Sequence, residues 1–178
     1  VTNSNFTGVT INYSFGRAFE MIESHNNTFN NIIIHSSSNN FELLSSTNNK
    51  ILNSNLRVGG ASATTGVGIR LQSANGTFIK NTSLTRFNDF SLLIGITPNT
   101  QNLTIYNSFF DAAGGNVSLD FINNSYIAST NFSSTASAWI VTTTADTSHY
   151  LLNNTFRGYG VLTSSSSNTS VAWFLYVN

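Results

Sequence analysis

The chain has 178 residues, and 40% of them are hydrophobic, which suffices for one folded domain with a sizeable core and excludes intrinsic disorder. Charged residues make up only 8%, and seven acidic residues balance seven basic ones. The basic residues are scattered singly, so the basic stripe that nucleic-acid binding requires is missing and no nucleic-acid partner is expected. Cysteine is absent, which excludes disulfides and thiolate metal sites.

Two features favour an extracellular or cell-surface location. Asn-x-Ser/Thr sequons are frequent and begin at Asn5, Asn12, Asn26, Asn75, Asn81, Asn102, Asn116, Asn123, Asn131, Asn153 and Asn168. The longest uninterrupted apolar run is Val171 to Val177, too short for a secretory or transmembrane segment. We therefore expect a secreted, processed chain without membrane insertion.

A short phrase of the form Ile-x-Asn-x-x-(Leu or Phe) recurs along the chain. Its copies, in chain order, are Thr10-Asn12-Phe15, Phe29-Asn31-Ile34, Ile51-Asn53-Leu56, Ile79-Asn81-Leu84, Ile105-Asn107-Phe110, Ile127-Ser129-Phe132 and Leu151-Asn153-Phe156. The anchor position returns every 19 to 28 residues, which is typical of one solenoid turn with loops of variable length.

A second phrase with strand-like alternation follows most copies of the first. It covers residues 19–22, 41–44, 68–71, 90–93, 117–121 and 139–141. No 3.6-residue apolar period is sustained anywhere, so helices are not expected. The sequence predicts an all-β, single-stranded parallel β-helix of about seven turns, right-handed and without a capping helix, forming one domain over residues 1–178 with its repeats in 10–157.

The anchor asparagine lies two residues after the interior Ile, so strand alternation predicts that it also points inward. Stacked amides would then hydrogen-bond along the solenoid axis. The expected structural ladder is Asn12, Asn31, Asn53, Asn81, Asn107 and Asn153. Buried ladder positions would make poor glycan acceptors at Asn12, Asn81 and Asn153. The expected sites of N-glycans are Asn26, Asn75, Asn102, Asn116, Asn123 and Asn168.

The phrases SHNNTFNNIIIHSSSNNFELL, STNNKILNSNL and LLNNTF resemble parallel β-helix repeats of the pectin-lyase-like superfamily, especially its Asn-rich version in archaeal and bacterial surface proteins. The resemblance implies the fold and leaves the function open. That superfamily includes lyases, glycosidases, phage tail spikes, adhesins and envelope proteins.

The resemblance also implies where an enzyme would carry its chemistry, which is in acidic residues on neighbouring turns of one face. The best candidates are Glu20 and Glu42 at equivalent positions of adjacent turns, followed by Arg70 on a third. Two carboxylates about 5 Å apart would suit a retaining glycosidase. The alternative is an exposed charge ladder in which Arg70 offsets Glu42. We expect the alternative, and therefore no catalytic residue and no enzyme.

Histidines give no indication of a metal site. His25, His35 and His149 show no metal-ligand spacing, so neither a metal nor another cofactor is expected. Tyrosines support one alternative function, because Tyr13, Tyr106, Tyr126 and Tyr159 could form a strip on which sugars stack. Tyr106 and Tyr126 are expected in adjacent turns. The alternative is thus a carbohydrate-binding or carbohydrate-active module of an adhesin or tail spike.

The last residues depart from the repeat. In the terminal strand VAWFLYVN both faces are apolar, so both need covering, and residues 158–178 are expected to act as an assembly or capping element. The predicted interface comprises Val171, Trp173, Phe174, Leu175, Tyr176 and Val177 against Val1, Phe6, Val9 and Ile11 of a second copy. Repeated head-to-tail contact generates a filament. The leading hypothesis is therefore a homopolymeric structural subunit of an extracellular filament, sheath or surface layer.

Overall fold

The computed structural model describes residues 1–58, 68–86, 94–97, 100–111, 122–133, 139–143, 149–157 and 160–164. Every regular element in these ranges is a β-strand, and no helix among them is long and apolar enough to cross a membrane. Several sequence predictions fall outside these ranges, namely those for Asn116, Tyr159, Asn168 and the terminal strand Val171–Val177. Asn123 lies in a described strand, but its side chain is not described.

The strands are, in chain order, β1 (Asn5–Thr7), β2 (Thr10–Ile11), β3 (Ser14–Ile22), β4 (Thr28–Asn30), β5 (Ile33–Leu44), β6 (Lys50–Leu52), β7 (Asn55–Val58), β8 (Ile69–Gln72), β9 (Phe78–Lys80), β10 (Ser83–Arg86), β11 (Ile94–Thr97), β12 (Thr100–Gln101), β13 (Thr104–Tyr106), β14 (Phe109–Asp111), β15 (Ile122–Asn123), β16 (Ser125–Ala128), β17 (Asn131–Ser133), β18 (Trp139–Thr143), β19 (His149–Leu152), β20 (Thr155–Arg157) and β21 (Gly160–Ser164).

All strand pairs in the described residues are parallel, and they form three faces of a solenoid. The first face is a seven-stranded sheet in the order β1-β4-β6-β9-β13-β16-β19. The second face runs through β2, the first half of β5, β7, β10, β14, β17 and β20. The third face contains β3, the second half of β5, β8 and β11. These pairings confirm the all-β class and the parallel β-helix.

The turns are less alike than the repeat predicts. Two faces are seven strands deep, but the third face as described is four strands deep, while β18 and β21 pair separately. The turn count therefore differs from the predicted number of about seven, because the third face as described does not extend over all turns. The solenoid hand stays a prediction.

The core consists of columns of like residues that stack from turn to turn. On the first face the column is Phe29, Ile51, Ile79, Ile105 and Ile127, in register and at most 1% exposed. On the second face it is Ile34, Leu56, Leu84, Phe110 and Phe132, again at most 1% exposed. Successive strands stand about 4.8 Å apart, so each side chain contacts its equivalents directly. The prediction of interior Ile and Leu/Phe ladders is confirmed.

The corners between faces explain why asparagine recurs. Residues with positive φ occur in three groups: Asn3, Asn26, Asn48, Gly76, Asn102 and Asn124 before the first face; Gly8, Asn31, Asn53, Asn81, Asn107, Ser129 and Asn153 between the first and second faces; and Glu23, Ser45 and Ser73 after the third. Asn tolerates the left-handed conformation better than most residues with a Cβ. The repeated Asn therefore marks repeated left-handed corners.

The predicted orientation of the anchor asparagines is wrong. Asn12, Asn31, Asn53, Asn81, Asn107 and Asn153 are all exposed. A left-handed residue breaks strand alternation, so the next residue, such as Ser54 or Thr82, is the buried one. Hydrogen bonds between the side-chain amides nevertheless link these corners on the outer surface of the solenoid. Asn53 Nδ2 donates to Asn30 Oδ1, Asn81 Nδ2 to Asn53 Oδ1, and Asn107 Nδ2 to Asn81 Oδ1, each at 2.9 Å.

The buried amides belong to other asparagines, which the sequence analysis did not single out. Asn27 and Asn49 are both 0% exposed, and Asn49 Oδ1 accepts bonds from the Asn27 backbone N–H and from Asn27 Nδ2, each at 3.0 Å. Asn154, at 4% exposure, accepts from the Thr130 backbone N–H and donates to the Ile127 carbonyl. These amides satisfy backbone groups that face the core, where an unpaired group is costly.

The corner at Asn53 allows backbone conformation and amide bonding to be separated. Asn53→Ala is expected to lower the free energy of unfolding by about 1–2 kcal/mol. The left-handed conformation is unfavourable for alanine, and the two exposed side-chain hydrogen bonds of Asn53 are lost. Asn53→Gly loses the same bonds without the Cβ penalty and should cost less. Urea unfolding followed by circular dichroism measures both. A glycine variant at least as unstable as the alanine variant would contradict the role of φ.

Candidate functional site

The acidic residues singled out in the sequence do lie side by side. Glu20 pairs in register with Glu42, and Glu42 with Arg70, on neighbouring strands of the third face. However, Glu42 is only 1% exposed, so the expected exposed charge ladder is wrong. The partner of Glu42 is also different from the one expected. Arg17 Nε lies 2.6 Å from Glu42 Oε2, and Arg17 Nη1 lies 2.8 Å from Glu20 Oε1.

Arg17 ties both carboxylates together. Its short contact with Glu42 and that residue's negative charge, followed by the charge of Glu20, raise the pKa of Arg17 above its usual value. The second oxygen of Glu42 accepts a bond of 2.7 Å from Asn39 Nδ2. A retaining glycosidase needs two carboxyl groups that reach a sugar from either side of the scissile bond. A buried Glu42 under a shared guanidinium does not provide that geometry.

The histidines are placed singly. His25 forms an isolated bridge between Thr2 and Thr47, and its Nδ1 lies 2.9 Å from Thr47 Oγ1. His35 is exposed, and His149 is described only by its place in β19. Among the described residues, no three His, Cys, Asp or Glu side chains come together in a way that could hold a metal ion.

The outer side of the seven-stranded sheet carries the most distinctive surface. One outward column is Asn5, Thr28, Lys50, Phe78, Thr104 and Tyr126; the other is Thr7, Asn30, Leu52, Lys80, Tyr106 and Leu152, interrupted by Ala128, which is only 1% exposed. We name Lys50, Phe78, Lys80, Tyr106 and Tyr126 the tyrosine-lysine face. Tyr106 and Tyr126 are 39% and 38% exposed, and both stand on strands of the seven-stranded sheet.

Tyr106 and Tyr126 stand on adjacent strands, as predicted, but not directly opposite each other. Tyr106 faces Ala128, and Tyr126 faces Thr104, so the two tyrosines are diagonal neighbours. Diagonal neighbours are about 7–8 Å apart. Tyr13 is also exposed, but it lies between β2 and β3, and Tyr159 lies outside the described residues. The predicted strip of four tyrosines therefore reduces, within the described chain, to this pair.

The charged side chains in the described outward positions of this face are all basic. Lys80 stands in register beside Tyr106, with its Nζ 5.7 Å from the ring centroid. Lys50 stands on the preceding strand, diagonal to Lys80. No acidic side chain occupies any of the outward positions given above for the seven described strands. An ammonium over an aromatic ring is held by the ring's electron-rich face. In its described positions the surface thus combines exposed tyrosine rings with positive charge and no acidic side chain.

The sequence held a signal for the lysines that was missed. Two positions of each repeat point outward: the third residue before the anchor asparagine and the residue directly before it. Lys50 and Lys80 occupy these two positions before Asn53 and Asn81, respectively. Arg17 had no such signal, because the register between β3 and β5 shifts between Ser14 and Arg17.

Comparison with known proteins bears on the fold. No protein-family model and no curated protein matches the chain. Among solved structures, the Azotobacter vinelandii mannuronan C-5 epimerase AlgE6 A-module is similar with a TM-score of 0.65 and 12% identity, covering 99% of this chain and 58% of that one. The chain is a parallel β-helix protein.

A second similar structure is the AlgE4 A-module of mannuronan C-5 epimerase from the same organism. It has a TM-score of 0.45 and 11% identity and covers 97% of this β-helix and 58% of that chain. This β-helix therefore spans somewhat more than half the length of each of these modules.

Proposed function

We propose that this β-helix is a carbohydrate-binding module that holds an acidic polysaccharide on the tyrosine-lysine face. The observation that carries the proposal is the pair of exposed tyrosines, Tyr106 with Lys80 beside it and Tyr126 on the next strand, on an outer sheet surface without acidic side chains in its described positions. Catalysis is not part of the proposal, because Glu20 and Glu42 both form ion pairs with Arg17.

The chemistry of the face suits such a ligand. Sugar rings present C–H groups that pack on aromatic faces, and tyrosine supplies a rigid apolar ring with a polar end. A carboxylate on the sugar would be attracted by the ammonium groups of Lys80 and Lys50, which stand on adjacent strands. Exposed ion pairs of this kind contribute modestly and are screened by salt, so the rings are expected to provide most of the affinity.

The fold likeness agrees with the proposal. The similar AlgE6 module is named for an enzyme that acts on mannuronan, which is a polysaccharide. At 12% identity this likeness extends to the fold, so the choice of ligand class rests on the face itself. Extracellular localisation agrees with a polysaccharide ligand and stays a prediction.

Binding to a matched pair of polymers tests the proposal. Polygalacturonate and its methyl ester share a backbone, but only the first is charged, so we expect tighter binding to polygalacturonate at low salt. Replacing both Tyr106 and Tyr126 with alanine should weaken binding by about tenfold, or ~1.4 kcal/mol. Lys80→Met should weaken binding of the acidic polymer alone. Isothermal titration calorimetry measures each affinity.

Phe109→Ala provides the matched control, because Phe109 is 37% exposed but lies on the second face. Its affinity should equal that of the wild type. Failure to bind polygalacturonate, polymannuronate and hyaluronan would refute the proposed function. An equal loss in the Phe109 variant would refute the assignment to the tyrosine-lysine face.

The first turn favours a second candidate function, the self-assembling subunit. Phe6, Val9 and Ile11 are only half-buried although they pack against the core, and Val1 is 62% exposed. The equivalent residues of the next turn, Phe29 and Ile34, are at most 1% exposed. These four residues of the first turn are the predicted receivers of a second copy, whose contributing strand, Val171–Val177, lies outside the described residues.

Replacing Trp173 and Phe174 with serine tests this candidate. We expect a folded monomer, because the changed strand lies outside the repeats, and light scattering after size exclusion gives the mass. Assembly identical to that of the wild type would rule out the terminal strand as the joint. A wild type that stays monomeric at all concentrations would rule out self-assembly.

A further inference from the structure

The sequons of this chain differ in how accessible the whole tripeptide is. An oligosaccharyltransferase must reach the asparagine amide and the hydroxyl two residues later, which is why glycans are found at surface loops. Exposure of the asparagine alone is therefore not sufficient. The residue between the two also has to leave the core for the tripeptide to enter the enzyme.

Most described sequons fail this requirement. The residue after the asparagine is at most 4% exposed in the sequons of Asn26, Asn81, Asn102, Asn131 and Asn153. In the sequon of Asn75 the threonine itself, Thr77, is 1% exposed. Modification at these positions requires a turn of the solenoid to open, and local opening has a free-energy cost.

Side-chain hydrogen bonds restrain further candidates. Asn81 donates through Nδ2 to Asn53 and accepts through Oδ1 from Asn107. Asn26 accepts from Asn48 Nδ2, and Asn75 accepts from the backbone N–H of Gln101. In the first strand, Asn5 Oδ1 accepts a hydrogen bond from Thr7 Oγ1, so the amide and the hydroxyl of this sequon are bonded to each other.

The sequon Asn12-Tyr13-Ser14 is different. Asn12 is exposed and Tyr13 is 53% exposed, and both lie in the connection between β2 and β3. Ser14 Oγ contacts the Arg17 carbonyl at 3.3 Å and the Gly16 backbone N–H at 3.4 Å, which are long distances for hydrogen bonds. Asn12 has no left-handed φ and takes part in none of the amide bonds between corners. The expectation that Asn12 is a poor acceptor rested on burial, and Asn12 is exposed.

We propose that Asn12 is the preferred acceptor for an N-linked oligosaccharide in the folded chain. In the transfer, Asn12 Nδ2 bonds to the anomeric carbon of a sugar carried on polyprenyl diphosphate. The bond from that carbon to the diphosphate oxygen breaks, and the diphosphate leaves with the electron pair. The amide loses one proton to a base of the transferase. This inference is independent of the proposed polysaccharide ligand.

Site-resolved transfer rates test the proposal. The folded chain is incubated with a purified single-subunit oligosaccharyltransferase specific for Asn-x-Ser/Thr and with a polyprenyl diphosphate-linked oligosaccharide. Glycopeptide mass spectrometry then gives the initial rate at each sequon. Synthetic peptides spanning residues 8–18, 22–32 and 77–87 give the rates for Asn12, Asn26 and Asn81 without the fold.

The ratio of the rate in the folded chain to the rate in the peptide isolates the effect of structure. This ratio should be about tenfold or more greater for Asn12 than for Asn26 and Asn81, which are exposed but precede a buried residue. Asn12→Gln should remove the main product from the folded chain, and Asn26→Gln should leave it. Equal ratios, or a folded chain unmodified at Asn12 while its peptide is modified, would overturn the proposal.

Discussion

Replacing Phe29 with alanine is expected to lower the free energy of unfolding by about 3–5 kcal/mol, which is typical of a buried Phe→Ala change. Phe29 is 0% exposed and lies at the centre of an aromatic cluster. Its ring stacks on Phe6 at 4.9 Å and meets Phe19 and Phe41 edge to face at 5.1 Å. In a solenoid each turn contacts only its neighbours, so the cavity would weaken the joints to both adjacent turns.

Urea unfolding followed by circular dichroism measures the loss, with Phe109→Ala as the control. Phe109 is the same residue type on an outward position of β14, so its removal should cost less than about 1 kcal/mol. Phe29→Leu retains most of the volume and should fall between the two. Equal losses for Phe29→Ala and Phe109→Ala would contradict the interior ladder as the source of stability.

The repeated apolar positions made the fold predictable. A side chain such as Ile79 must stack on its equivalents Ile51 and Ile105, so the same residue type returns once in each turn and can be counted in the sequence. The spacing of these positions also gave the parallel pairing, since no hairpin places like residues in register. Periodicity therefore predicted the core well.

The corners were not predictable from the same periodicity. Strand alternation assigned Asn53 to the core, but a φ of 49° turns the chain there, and the buried position moves to Ser54. The recurrence of Asn had two physical explanations, namely amide stacking inside the core and tolerance of a left-handed backbone. Only the backbone angles distinguish them.

The candidate site was predicted in part. Tyr106 and Tyr126 were expected in adjacent turns and are found there, because both follow from the repeat spacing. The placement of Lys80 and Lys50 on the same face was not predicted, since Lys50 and Lys80 entered the sequence analysis only as scattered basic residues. The pairing of Glu20 with Glu42 followed from the repeat, whereas the role of Arg17 depends on an irregular register that no repeat encodes.

Asn49→Ala is expected to destabilise the protein by about 1–3 kcal/mol, because it leaves the buried backbone N–H of Asn27 without an acceptor. Asn49 Oδ1 accepts from both the backbone N–H and the side-chain Nδ2 of Asn27, and Asn49 Nδ2 donates to the Ser24 carbonyl at 2.8 Å. Asn27 Nδ2 retains the Val1 carbonyl, and the Ser24 carbonyl retains the Thr47 N–H. The Asn27 backbone N–H retains nothing and would be unpaired in the core.

Asn53→Ala is the matched control for this change. It also removes an asparagine side chain, but from the exposed corner at the other end of β6. Its expected cost of about 1–2 kcal/mol comes mainly from the left-handed backbone, whereas the cost at Asn49 comes from desolvated polar groups. Hydrogen exchange distinguishes the two causes. In Asn49→Ala the backbone amide proton of Asn27 should exchange much faster than in the wild type, while in Asn53→Ala it should remain protected. Unchanged protection of Asn27 in the Asn49 variant would mean that another acceptor replaces the amide and that the buried pair is not the source of the stability.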